Sequence, residues 1–213
     1  MSNKIVGIFM SIGAIMLFTL FAGLWPAGQT DPGIENAKLL AENNLTIAFL
    51  FMGGLSFGMM QTGAFIITER LIKKADSTYK TLLAFSKLAF AASLTMFIVS
   101  GSLWQSSGWL YSTGDKMTAG VINHMAAATT SLLPWIWGSG LIILGLAAIS
   151  GSSKPKNMMD WTKGLLIISG IVFVLTPFIG ASGAGTLGFV SWGLACLTHV
   201  IIGALLVTEK IDF

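Results

Sequence analysis

Six apolar runs, each long enough to cross a lipid bilayer, alternate in this sequence with short polar segments. That alternation limits what the chain can fold into more than any other feature. The runs cover residues 5–25, 45–68, 81–104, 119–150, 162–179 and 187–207. A bilayer core of ~30 Å is spanned by about 20 helical residues. Lipid offers a backbone no hydrogen-bond partner, so each crossing must satisfy its own N–H and C=O groups. Continuous apolar runs do this as helices. Strands of a membrane barrel would alternate polar and apolar over about ten residues, and no such alternation is present. The expectation is an all-α, polytopic membrane helix bundle of six transmembrane helices, one domain over residues 1–213.

Composition excludes the soluble alternative. Charged residues make up 10% of the chain and apolar ones 54%, with a mean hydropathy of +0.80. Soluble domains carry about 25% charged residues, so a water-facing surface of this composition would expose large apolar patches. The first run follows Lys4 as a signal peptide would, but a secretory apolar core is about 7–15 residues long. Residues 5–25 are therefore read as the first membrane helix.

The net charge of +3 does not point to nucleic acid, because the basic residues form no stripe or patch. They mark sidedness instead. Lys4, Arg70, Lys73, Lys74, Lys80, Lys154, Lys156, Lys163 and Lys210 sit at the N-terminus, around the 69–80 and 151–161 segments, and at the C-terminus. The opposite segments, 26–44 and 105–118, hold only Lys38 and Lys116. Positive residues are retained in the cytoplasm, so both termini are expected there. Trp25, Trp104, Trp109 and Tyr111 would then lie at the outer interface, where amphipathic rings settle.

The fourth run is too long for one perpendicular crossing, ~48 Å as a straight helix. Within it Pro134 follows Thr129-Thr130-Ser131. Proline removes a backbone donor, and the preceding hydroxyls can cover the freed carbonyls. The expectation is an amphipathic outer entry over 118–130 followed by a span over 131–149, or else one long kinked helix. Pro177, after Thr176, marks a second break close to the outer end of the fifth helix.

Small residues at four-residue spacing let membrane helices approach closely. Gly54 and Gly58 form one such pair, and Gly180, Ala184 and Gly188 form a series across the turn between helices five and six. Either they pack the bundle, or they form a face for self-association or for another membrane subunit.

Ionisable groups within spanning segments are costly and often functional. Lys87 is expected to snorkel to the interface or to pair with Glu69. No Asp or Glu falls at mid-membrane, which counts against an ion-coupled pump. The two histidines, His124 and His199, both lie in apolar surroundings. Neutral imidazoles on two helices can hold a b-type haem if their depths agree. His199 lies ~18 Å into the sixth helix and His124 only ~9 Å into the fourth, so their depths differ.

The 11 methionines read as adaptable core filler. The single Cys196 cannot form an intrachain disulfide, and no phosphate loop, HExxH or catalytic triad is present. Two functions remain: a non-catalytic subunit or small transport protein, and a redox subunit passing electrons to or from quinone through haem held by His124 and His199.

Overall fold

The computed structural model describes residues 1–25, 30–150, 159–179 and 186–211. Every regular element among them is helical. Helix α1 (Asn3–Thr19) starts where Ser2 Oγ accepts from the Ile5 N–H at 3.4 Å, and it continues as a π-helical turn over Leu20–Leu24. Such a serine cap satisfies one of the orphan donors of the first turn. The remaining helices are α2 (Ile34–Glu42), α3 (Thr46–Lys74), α4 (Ser77–Ser112), α5 (Lys116–Ser131), α6 (Leu133–Ser150), α7 (Asp160–Leu175, followed by a 3₁₀ turn over Thr176–Ile179) and α8 (Thr186–Val207). Asp76 and Asp115 cap α4 and α5, each accepting at 3.2 Å from a backbone N–H three residues on. Gly114, at φ 98°, makes the turn between those two helices, a conformation that penalises any side chain.

Six helical stretches are long and apolar enough to cross a membrane: Asn3–Leu24, Thr46–Lys74, Ser77–Ser112, Lys116–Ile149, Trp161–Phe178 and Gly188–Val207. They close into a ring. Each packs on the next in the order α1, α3, α4, α6, α7, α8, and α8 returns to α1. The burial pattern departs from a soluble protein's, with large apolar side chains on the surface and polar groups among the buried residues. Ile5, Ile8, Ile12 and Ile15 stand exposed along α1, while Ser56, Gln61, Ser86, Ser93, Thr198 and His199 are buried. Apolar side chains gain nothing by avoiding hydrocarbon, so polar groups take the interior.

Where helices cross, glycine sets the distance. A Cβ on Gly138 of α6 would lie 2.8 Å from the Gly170 carbonyl oxygen of α7, and one on Gly170 would lie 2.6 Å from that of Gly138. Gly13 of α1 approaches the Ser56 backbone of α3 as closely, and Gly7 of α1 faces Gly203 of α8. The pair singled out in the sequence behaves differently. A Cβ on Gly54 would meet nothing within 4 Å, and one on Gly58 only Leu94 at 3.8 Å. Gly188 is buried; Gly180 and Ala184 lie outside the described residues.

Two segments expected as loops are helical. Helix α4 runs on to Ser112, not 104, and α2 occupies much of the 26–44 segment. With 36 residues, α4 is ~54 Å long and outruns a bilayer core of about 30 Å. Its projecting end, α2 and the start of α5 form a small cap. The polar stretch Gln105–Gly108 is helical there because α2 covers it: Ser107 is buried, and a Cβ on Gly108 would sit 3.2 Å from Leu40. The fourth run divides at Leu132 into α5 and α6, with Pro134 the second residue of α6, where its missing N–H costs little.

Both termini lie at the opposite end. Lys4 Nζ is 3.1 Å from Glu209, and Arg70 donates to the Asn3 side chain and the Met1 carbonyl.

Candidate functional site

The centre of the ring is filled from α6 by Trp137, which is fully buried. Its ring meets Phe57 of α3 at 5.3 Å, Phe173 of α7 at 4.9 Å, and Trp192 and His199 of α8 at 5.6 and 5.4 Å between centroids. Phe57 in turn stacks on Phe97 of α4 at 4.5 Å. Edge-to-face and offset contacts of this kind add attraction beyond the area they bury. The result is an aromatic plug contributed by five of the six long apolar helical stretches.

A polar belt lies one helical turn from the plug toward the termini. Residues four apart share a helix face, so Gln61 follows Phe57 along α3, Ser93 precedes Phe97 on α4, and Ser169 precedes Phe173 on α7. Each step runs toward the termini, because α3 descends from the cap while α4 and α7 rise toward it. His199 touches Trp137 itself. All four belt residues are buried, Gln61 and His199 to within 1%. Gln61 stands near the middle of the 29-residue α3.

Several belt atoms have no hydrogen-bond partner. Both Oε1 and Nε2 of Gln61 are buried and unpaired, as are Trp137 Nε1 and Ser169 Oγ. Leaving one such group unsatisfied costs about 1–3 kcal/mol, and more in a membrane interior where water is scarce. Neighbouring polar groups are not in this state. Ser93 Oγ donates to the Phe90 carbonyl at 2.9 Å, and Ser86 Oγ to the Gly140 carbonyl at 2.8 Å. His199 Nδ1 lies 2.8 Å from the Ala195 carbonyl oxygen. A carbonyl can only accept, so Nδ1 carries the proton, and Nε2 of an uncharged ring presents a lone pair.

No nucleophile stands beside a base and an orienting acid, and no cluster of three His, Cys, Asp or Glu side chains exists among the described residues. Cys196 is buried and unpaired.

The other residues picked from sequence lie elsewhere. His124 is exposed on α5, with Nε2 3.4 Å from the position of a Cβ on Gly33 in the cap. Trp137, which His199 touches, is thirteen residues farther along the chain, ~20 Å of helix. One haem iron takes its axial ligands from opposite faces of a single macrocycle, so this placement does not fit a haem shared by His124 and His199. Lys87 Nζ lies 3.4 Å from Glu69, which also holds Lys73 at 3.6 Å, and it sits 4.5 Å above the Phe65 ring. Pro177 belongs to the 3₁₀ turn, where Phe178 stacks on Trp135 at 5.5 Å.

Of the belt, only His199 stood out in the sequence. Gln61 had a signal that went unused, since it is a lone side-chain amide inside the apolar run 45–68. Trp137 and Ser169 had none, because indoles and hydroxyls are common in membrane helices.

The cap has its own polar knot. Asn123 Oδ1 accepts from the Gly33 N–H at 2.8 Å, while its Nδ2 donates to Asn36 Oδ1 at 3.0 Å and to Ser107 Oγ at 2.9 Å. Asn36 donates to Thr30 Oγ1 at 3.0 Å. Here each amide is matched, as expected of a buried network that fixes structure.

Comparison with known protein families, with curated proteins and with solved structures gives no match.

Proposed function

We propose that this chain is a small membrane transport protein whose solute site is the belt of Gln61, Ser169 and His199 beneath Trp137. The observation that carries the reading is the Gln61 amide, 1% exposed and unpaired at both polar atoms, one helical turn from the Phe57 ring that packs on Trp137. An unpaired buried amide costs stability, and binding sites are where buried polar groups await a partner. The aromatic plug closes the path on the cap side, and apolar side chains such as Ile67, Leu71 and Leu144 close it on the other.

In this reading the protein is integral and multi-pass, with both termini cytoplasmic and the cap outside, in line with the distribution of Lys and Arg. A bend at Leu132–Pro134 lets the segment from α5 to α6 serve both cap and bundle. The Gly54–Gly58 face, open at Gly54 and only loosely met by Leu94 at Gly58, is the one on which a second copy or another membrane subunit would pack.

The test is solute flux into proteoliposomes, followed by light scattering over a panel of small neutral and charged solutes. Entry of at least one solute well above the protein-free rate, lost in Gln61→Leu, is the expected result. No solute entering faster than through bare lipid would end the transport reading.

A further inference from the structure

We infer that the belt takes a small, planar, uncharged solute bearing a hydrogen-bond acceptor and donor on neighbouring atoms, of the carboxamide or urea type. This rests on the transport reading above and specifies its substrate. Charge is the first filter. The belt holds no carboxylate or amine, and its one ionisable group, His199, already commits Nδ1 to the Ala195 carbonyl. The nearest opposite charges along α3, Glu69 with Lys73 and Lys87, are paired with each other. They start two turns from Gln61, ~12 Å along the helix. A bare ion at this depth would lack a counter-charge, which is costly in a membrane interior.

Hydrogen-bonding sense is the second filter. The unpaired groups comprise an acceptor and a donor on Gln61, an indole donor on Trp137 and a hydroxyl on Ser169, and the His199 ring that meets Trp137 adds the Nε2 lone pair. A solute that only accepts would leave Gln61 Oε1 and His199 Nε2 unmatched. One that only donates would leave Trp137 Nε1 unmatched. A group with C=O next to N–H answers both senses, and it meets the Gln61 amide edge to edge through two reciprocal bonds. Unmatched buried groups are what make polar sites selective.

Shape is the third. The belt is roofed by the rings of Phe57, Trp137 and Phe173, flat faces against which a planar solute packs with little loss of contact.

The experiment measures entry of urea, acetamide, glycerol, acetate and methylammonium into proteoliposomes containing the full chain. Urea and acetamide are expected to enter at least tenfold faster than through protein-free vesicles, and the other three at the protein-free rate. Gln61→Leu and, separately, Trp137→Phe should lower urea entry several-fold, while Ser102→Ala, on the exposed face of α4, leaves it unchanged. Using two belt variants guards against one that fails to insert. Entry of acetate, methylammonium or glycerol without urea or acetamide would overturn the substrate class and leave transport standing. Urea entry that survives both belt substitutions would overturn the site. Failure of all five solutes would remove the transport reading itself.

Discussion

In the transport reading proposed above, Gln61 is the residue on which function and stability pull in opposite directions. Its side chain buries two polar atoms without a partner, and replacing such a group by an apolar one of similar size is often stabilising. Gln61→Leu should therefore raise the thermal midpoint of the protein in detergent, by the equivalent of about 1–3 kcal/mol, in the same variant that loses solute entry. A lower midpoint would mean that the amide supports the fold. The cap asparagine is the opposite case. Asn123 makes three hydrogen bonds at once, so Asn123→Ala strands the Gly33 N–H, Asn36 and Ser107 at about 1–3 kcal/mol per buried orphan. We expect limited proteolysis to cut the 30–45 segment faster in that variant, with the membrane-embedded fragment still protected. At this scale the sequence was a partial guide. It drew attention to charges and imidazoles, the usual markers of intramembrane function, and so reached His199 and the pairing of Glu69 with Lys87. It passed over Gln61 because an amide carries no charge, and it grouped His124 with His199 although thirteen residues of chain separate His124 from the belt's neighbour Trp137.

Among elements, helices were legible wherever lipid dictates them and illegible where protein does. All six apolar runs appear among the described residues as helical stretches long and apolar enough to cross a membrane, the form a backbone in hydrocarbon requires. The end of α4 and the whole of α2 escaped notice because Gln105, Ser106, Ser107 and Gly108 read as a loop until another helix covers them. Glycine spacing misled in a similar way. Of the GxxxG signature on α3, Gly54 faces open space and Gly58 meets only Leu94 in loose contact, whereas the close crossings use glycines on two different helices, Gly138 with Gly170 and Gly7 with Gly203, which no pattern along one segment can show. The contrast is testable. Gly170→Leu should collapse the α6–α7 crossing and reduce folded yield in detergent several-fold, since the Gly138 carbonyl blocks its Cβ. Gly54→Leu should leave the monomer's thermal midpoint within about 0.5 kcal/mol equivalent and act only on self-association, read by size-exclusion chromatography with light scattering. A Gly54→Leu protein that fails to fold would show that α3 is packed more tightly than its open notch suggests.

The whole molecule is a ring of helices around an aromatic centre with several polar groups buried beside it, and the proposed sidedness rests on the distribution of Lys and Arg. Cys196 is buried, so cysteines introduced elsewhere can be labelled against a quiet background. Ser77→Cys, beside the α3–α4 turn, should react with a membrane-impermeant maleimide only after the cells are opened. Thr113→Cys, at the tip of the cap, should react in intact cells. The reverse pattern would invert the assignment of the cap to the outer face.

The contact between Lys4 and Glu209 belongs to this scale too. It places head and tail at one edge of the ring, and α1 and α8 press together there through Gly7 and Gly203 as intimately as helices joined by a turn. The bundle is therefore circular in space although linear in covalent bonds. No peptide link joins the first helix directly to the last, so non-covalent packing alone holds that seam shut.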